Sequence, residues 1–294
     1  MGLSDRPLWV RGRAPTASQA VAIREVREIL DRRRVHTVCQ SARCPNAAEC
    51  WGQGTATFMI LGEICTRACR FCAVRTGDPG GKVDEGEPMR VAEAVRELGL
   101  EYVVLTSVDR DDLDDGGSGL FAETVTRIKR GSPDAVVEVL IPDFCGDPRA
   151  LHRILSSGAD VIGHNLETVE SLTRDCRDHR ASYGQSLDVL AYLYKNSRDR
   201  RRCVKSGIML GLGERRREVL DTFADLRDVG VEILTIGQYL APTISSTPVM
   251  RFVPPEEFDE LAVEARRLGF RAVVAGPLVR SSYHAAEAYA RACG

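Results

Sequence analysis

Apolar residues recur along this chain in two rhythms. Short runs at 57–62, 102–107, 136–140, 161–165, 203–210 and 233–238 are rich in β-branched and other apolar residues and predict strands. Between them, stretches near 90–98, 120–130, 149–156, 183–196 and 215–228 carry helical spacing. A further helix is predicted at 256–268, and the apolar run at 272–275 offers one more strand. Ahead of these, Val21, Val26, Ile29 and Leu30 fit an amphipathic helix over 18–34. The segment 39–50, rich in Pro, Asn and Ala, reads as an irregular loop. Six successive strand–helix units predict parallel strands joined by right-handed crossovers. The strands read as unbroken apolar runs, the pattern expected where both sheet faces are covered.

Two glycine-rich stretches, 115–119 and 211–213, both lack the GxGxxG frame of a dinucleotide site at a strand–helix junction. The expected fold class is therefore α/β, a partial (β/α)6 TIM-like barrel rather than a doubly wound sheet. An N-terminal extension (1–54) and a C-terminal segment (255–294) would flank the barrel (55–254). In such barrels reactive groups sit at the C-terminal ends of strands and in the loops that follow.

Composition narrows the partners. The 294 residues are 44% hydrophobic and 28% charged, with a formal net charge of −2. That balance does not suggest nucleic acid as the main partner. No run of about 18 apolar residues predicts a membrane span, and the first ten residues lack the apolar core of a secretory signal. A cytoplasmic enzyme is expected. Residues 1–34 carry eight Arg against four acidic residues, which reads as a solvated helix face or a docking surface for an acidic protein. Only four Lys stand beside 36 Arg, so Lys205 inside an apolar run is conspicuous.

The ten cysteines change the picture most. In a long intracellular chain they indicate metal or redox chemistry rather than a disulfide framework. Cys145, Cys176, Cys203 and Cys293 stand alone and read as buried or incidental thiols. The other six form two triplets, Cys39/Cys44/Cys50 and Cys65/Cys69/Cys72, with different spacings. A structural zinc or a closed iron–sulfur cluster normally takes four protein ligands. Two triplets therefore suggest two clusters, each with one iron left open. Zinc is the alternative that the spacing alone permits, but no His lies near on the second loop.

The second triplet, Cys-x3-Cys-x2-Cys directly after the first predicted barrel strand, resembles the radical S-adenosylmethionine (SAM) superfamily. The resemblance implies a [4Fe–4S] cluster on Cys65, Cys69 and Cys72 whose fourth iron chelates SAM, with Phe71 near the adenine. The first triplet and the stretch Arg280, Ser281, Ser282, Tyr283 look like the lipoyl synthase family. So do the stretches opening at Thr106, Glu138, His164, Lys205, Gly237 and Val274. That resemblance implies insertion of two sulfur atoms, at C6 and C8 of an octanoyl chain on a carrier-protein lysine. It further implies a second [4Fe–4S] cluster as sulfur source, with Ser282 as the oxygen ligand beside Cys39, Cys44 and Cys50. The implied partners are octanoylated lipoyl domains of 2-oxoacid dehydrogenase complexes and the glycine cleavage H protein. An electron donor such as ferredoxin or flavodoxin and an iron–sulfur cluster carrier complete the set; neither nucleic acid nor a membrane is expected.

Strand-end residues supply the candidate SAM contacts. Thr106, Ser107 and Asp109 follow the second strand, where the superfamily usually has Gly-Gly-Glu. Glu138 is a carboxylate inside an apolar strand, and such groups are rarely buried unpaired. Asn165 and Glu167 end the fourth strand, and Lys205 can pair with Glu138 or hold the SAM carboxylate. Each of these residues has a purely structural alternative, as Ser282 does as a turn serine. Competing functions are another radical SAM sulfur-inserting or methylthiolating enzyme, and an iron–sulfur electron carrier.

Overall fold

A computed structural model describes residues 6–11, 16–41, 44, 46–199 and 201–293. The chain opens with a long helix, α1 (Ala17–Arg33), a short strand, β1 (His36–Thr37), and two short helices, α2 (Val38–Ser41) and α3 (Ala47–Gly52). Strand–helix alternation then begins with β2 (Thr55–Ile60) and a small two-strand loop, β3 (Ile64–Cys65) and β4 (Arg75–Thr76). It continues through α4 (Glu87–Leu98), β5 (Tyr102–Ser107), α5 (Ser118–Gly131), β6 (Val136–Leu140), α6 (Pro148–Ser156) and β7 (Val161–Gly163). Next come α7 (Glu170–Cys176), α8 (Tyr183–Asn196), β8 (Cys203–Leu210), α9 (Arg216–Asp228) and β9 (Ile233–Gln238). The order ends with α10 (Pro255–Arg267), β10 (Ala272–Gly276) and α11 (Ala285–Cys293). Local signals start several helices. Asp147 accepts the Arg149 N–H beside Pro148 at the head of α6, and Ser182 accepts the Gln185 N–H at the head of α8.

The main sheet runs β1-β2-β5-β6-β7-β8-β9-β10. Every neighbouring pair is parallel except β1–β2. The two faces differ. Val103, Leu105, Val137, Val139, Ile162, Val204, Leu234 and Ile236 join one large core with the helices. Phe121, Phe223 and Phe258 in that core are fully buried, each stabilising by about 1.5–3 kcal/mol. The alternate positions point the other way: Tyr102 and Val104 pack on Ala285, and Val161, Cys203, Ile233 and Ala272 pack on Ala288 and Ala292. One nine-residue helix thus reaches β5 on one side and β8, β9 and β10 on the other. The sheet must curl around α11 for that, and α11 plugs the base of the lumen.

Several expectations need correction. The strands are not apolar on both faces, because inner positions include Thr106, Glu138, Lys205 and Thr235; a lumen that holds polar groups does not need an apolar lining. The described residues of the segment 39–50 lie largely in two short helices, α2 and α3, rather than in an irregular loop. The first barrel strand lies two residues earlier than predicted, and β7 stops at Gly163, short of Asn165. Cys203 and Cys293 do not stand alone: a disulfide joins them. They are 90 residues apart in sequence, and only the placement of α11 in the lumen brings them together.

Candidate active site

The Cys65/Cys69/Cys72 loop leaves the sheet after β2, at the C-terminal ends of the strands. It is pinned at nearly every residue. Thr66 N–H bonds the Asp109 carbonyl at 3.0 Å, Arg70 N–H the Cys176 carbonyl at 2.8 Å, and Ala68 N–H the Asp178 carboxylate at 2.8 Å. Arg67, only 4% exposed, drives its guanidinium into three carboxylates. It bonds Asp143 at 2.7 and 2.8 Å and Asp111 at 2.8 Å, with Asp109 at 3.4 Å. Burial works against the charge on Asp111, yet the bonds from Arg67 and Thr66 hold its carboxyl down to about 2.

Each sulfur of this loop meets a backbone N–H. Arg67 N–H faces Cys65 Sγ at 3.4 Å, Asp178 N–H faces Cys69 Sγ at 3.3 Å, and Val74 N–H faces Cys72 Sγ at 3.4 Å. Such donors favour thiolate and cluster sulfur. Without a cation the thiols resist ionisation. Burial pushes Cys65 up to about 11 and Cys69 to about 12, and it raises Cys72 as well. A strong cation reverses that preference. Among the described residues no three His, Cys, Asp or Glu group as ligands for a single metal ion. The donor set fits a multi-iron cluster.

The first triplet lies where the two ends of the fold meet. Burial and then the neighbouring thiols Cys39 and Cys44 push Cys50 up to about 12. Cys39 is also raised, by burial and by Cys44. The C-terminal segment folds over this group. Asn46 Nδ2 donates to the Leu278 carbonyl at 2.6 Å, and the Tyr283 hydroxyl meets both Glu49 oxygens at 3.2 Å. Arg280 is near enough to Cys44 for their charges to interact, and burial, the larger effect, lowers its pKa. Its guanidinium donates to the carbonyls of Val279 at 2.7 Å and Gln238 at 3.4 Å. Gly237 permits this approach: a Cβ there would stand 2.4 Å from the Val279 carbonyl. Ser282 is half-buried in the same turn, its carbonyl accepting from Ala285 N–H at 3.4 Å.

The other candidates distribute along the lumen and its rim. Phe71 packs against the cluster of Cys176, Leu212 and Tyr239. Thr106 donates its hydroxyl to the Leu140 carbonyl at 3.0 Å, while the Ser107 hydroxyl is buried without a partner. Asp109 lies 3.7 Å from Cys65 Sγ. Asn165 sits over Gly207, where a Cβ would be 3.2 Å from its Oδ1. Glu167 holds a left-handed backbone, φ 70°, a costly state for a residue with a side chain. Burial raises its pKa against the pull of Arg177 and Asn165. Deeper down, Lys205 Nζ bonds both Glu138 oxygens at 2.8 and 2.9 Å, and the Tyr102 hydroxyl donates to Glu138 at 2.6 Å.

Sequence reasoning passed over Arg67, Asp143, Asp178, Arg177 and Tyr102. Arg67 had one available signal, its place between two cysteines of one motif. The rest become visible only when separate strand ends converge. His164 is a further case: Nδ1 faces the Ile141 carbonyl at 3.0 Å and Nε2 the Ser186 hydroxyl at 2.9 Å. Nδ1 therefore carries the proton, and Ser186 in turn accepts from Arg177 at 2.8 Å. Burial and then Arg177 lower His164 to about 4.

A mostly parallel sheet with a three-cysteine loop after its first parallel strand defines a class, and residues 59–226 match the family model of the radical SAM superfamily. The chain is 54% identical over 295 residues to a lipoyl synthase of Pyrobaculum arsenaticum, covering 99% of this chain and 97% of that one. It is 52% identical to the lipoyl synthase of Thermus thermophilus, covering 98% and 88%. Among solved structures, the FeFe-hydrogenase maturase HydG from Carboxydothermus hydrogenoformans superposes with a TM-score of 0.54 at 14% identity, covering 95% of this chain and 72% of that one. At that identity it speaks for the fold alone. The chain belongs to the lipoyl synthase family of radical SAM enzymes. It is thus a sulfur-inserting enzyme that uses SAM and a [4Fe–4S] cluster and acts on lipoyl-carrier proteins.

Proposed function

We propose that this enzyme works with two [4Fe–4S] clusters, one on Cys65, Cys69 and Cys72 and the other on Cys39, Cys44, Cys50 and Ser282. When bound, the first supplies reductive cleavage of SAM to a hydrogen-abstracting radical, and the second supplies sulfur for C6 and C8 of the octanoyl chain. The backbone N–H groups around Cys65, Cys69 and Cys72 steady thiolate charge, and the Arg67 carboxylate net keeps that loop in register with the strand ends. Phe71, Thr106, Ser107, Asp109, Glu138, Asn165, Glu167 and Lys205 bind and orient SAM along the lumen. α11 closes the base and helps exclude water, which protects a radical from side reactions. Arg280 offsets negative charge beside Cys44. The chain divides into 1–54, 55–254 and 255–294, the outer two cooperating at the second cluster. The reading also includes lipoyl domains and the H protein as carriers, a ferredoxin- or flavodoxin-like donor, a cluster carrier, and a cytoplasmic setting. Among the described residues no helix is long and apolar enough to cross a membrane.

The observation that carries the two-cluster reading is the meeting of the tail with the first triplet, through Asn46–Leu278, Glu49–Tyr283 and Arg280–Cys44. The test is anaerobic reconstitution followed by SAM, reductant and an octanoyl-lysine peptide. The expected load is about eight irons per chain, and the oxidised product loses two hydrogens and gains two sulfurs. A methylthiolated product or an absence of 5′-deoxyadenosine would replace this reading with one of its competitors. Zinc uptake in place of iron would remove it.

A further inference from the structure

Two of the three sulfurs in the Cys65/Cys69/Cys72 loop take their backbone donor from the loop itself, Arg67 N–H for Cys65 and Val74 N–H for Cys72, each at 3.4 Å. Cys69 does not. Its donor is the Asp178 N–H at 3.3 Å, from a residue 109 positions away that follows α7. A donor two residues along is placed by the loop's own fold. A donor from a separate segment stays on target only if that segment is fastened to the loop. Asp178 supplies the fastening. It is 6% exposed, and its carboxylate Oδ2 accepts the Ala68 N–H at 2.8 Å, one residue before Cys69. One residue thus donates to the middle cysteine and accepts from that cysteine's neighbour. A bare carboxylate beside thiolates would repel them. Arg180 offsets it: Nε donates to Oδ1 at 2.8 Å, and Nη2 donates to Oδ2 at 3.2 Å and to the Thr66 carbonyl at 2.5 Å. The Arg70 N–H, bonded to the Cys176 carbonyl at 2.8 Å, completes the grip of 176–180 on 66–70.

We propose that Asp178 is a positioning residue of the SAM-binding cluster: by holding Ala68 with its carboxylate it keeps its own N–H on the Cys69 sulfur, and so raises the cluster's reduction potential. The inference rests on the assignment of Cys65, Cys69 and Cys72 to that cluster. Hydrogen bonds to sulfur are one of the protein's levers on potential, because they draw off negative charge and favour the reduced form. The reduced cluster is the electron source for cleaving SAM, so how readily it forms bears on every turnover. Cys69 is the corner where the rest of the barrel has a hold on that lever, because its donor alone comes from outside the loop.

The test compares Asp178→Asn, Asp178→Ala and Asp178→Pro in the full, anaerobically reconstituted chain. All three remove the same charge, so differences among them report the hydrogen bonds. The Asn variant keeps an oxygen for Ala68 and the N–H for Cys69, the Ala variant keeps only the N–H, and the Pro variant has neither. Arg177 is extended, with φ −97° and ψ 165°, as a residue before proline must be. The signal read is the electron paramagnetic resonance of the reduced cluster that SAM perturbs. Its midpoint potential should fall in the order Asn, Ala, Pro. In the cluster-free chain the Ala68 amide should exchange with deuterium about tenfold faster in the Ala variant than in the Asn variant. Equal potentials in all three loaded variants would overturn the proposal and reduce Asp178 to packing. Should the Pro variant fail to fold, the other two still decide: equal potentials with equal Ala68 exchange overturn it. A SAM-perturbed signal that survives C65A, C69A and C72A instead overturns the cluster assignment, an outcome distinct from a loaded cluster of unmoved potential.

Discussion

The two cysteine triplets sit at the same end of the barrel but are held in different ways. Around Cys65, Cys69 and Cys72, each sulfur has a backbone N–H, and one buried arginine ties the loop to three carboxylates on two strand ends. Around Cys39, Cys44 and Cys50, the structure is two short helices clasped by a tail through a few side-chain bonds. The first arrangement is built to keep its geometry. The second joins chain segments more than 200 residues apart. Under the two-cluster proposal, a site that binds SAM repeatedly is served by rigidity, and a site that surrenders sulfur is served by a clasp.

The largest effect expected is from C65A, C69A and C72A together. SAM cleavage should vanish while about half of the iron remains, read from 5′-deoxyadenosine and iron analysis. Undiminished 5′-deoxyadenosine would erase the division of labour between the triplets. Next is Ser282→Ala. It should leave 5′-deoxyadenosine formation at the rigid site nearly intact and cut lipoyl product at least tenfold in anaerobic single turnover. Normal product would make Ser282 a turn residue and weaken the comparison.

Arg67→Leu attacks the rigid side directly. Asp143 is left buried against Asp109 and Asp111 without its cation, and breaking such a buried ionic group costs about 3–5 kcal/mol. Thermal unfolding should register that loss, and iron should leave the second triplet before the first. The reverse order of loss would contradict the contrast drawn here.

Acid should also loosen the rigid side. His164 supports Ser186 and Arg177 beneath this loop, and its pKa falls from 6.5 to about 4 on folding. The folded state therefore binds fewer protons between those values. Its stability is complete above about 6.5 and declines as pH drops toward 4. From pH 7 to pH 5 the loss from this group is about 2 kcal/mol. His164→Asn keeps a donor for the Ile141 carbonyl and cannot titrate, so denaturant unfolding of that variant should show a correspondingly flatter pH profile. An equally steep profile would assign the acid sensitivity to other groups.

The smallest effect expected is at the clasp. Tyr283→Phe removes one hydroxyl from Glu49, worth about 1 kcal/mol. Iron at the first triplet should dissociate a few-fold faster, with SAM cleavage unchanged. A faster loss from the second triplet instead would mean that the tail braces both sites.

Much of this was legible in the chain. The strands at 102–107, 136–140, 203–210 and 233–238 fall where their apolar runs begin and end, because a strand's burial is written in contiguous residues. The six clustered cysteines were equally plain, since metal ligands repeat at short spacing. The pairing of Glu138 with Lys205 was open to anticipation, as each is a charge that a buried strand cannot carry alone. The inner face was misread. Apolar residues on alternate positions of short strands mask the polar ones between them, and Thr106 or Thr235 looks like an ordinary β-former until the lumen is known.

Local pattern alone determined that this chain would build a parallel α/β sheet and carry two three-thiol groups, one of them just after the first barrel strand. Both follow from interactions between residues within about ten positions of each other. Only the tertiary structure decided what surrounds those thiols. It brought Tyr283 to Glu49, Arg67 to Asp143, Asn46 to Leu278 and Cys203 to Cys293. Those meetings depend on how far the sheet curls and where α11 comes to rest inside it. That curl is set by the summed twist of eight strands and the packing of the whole core, a quantity that no short stretch of sequence contains.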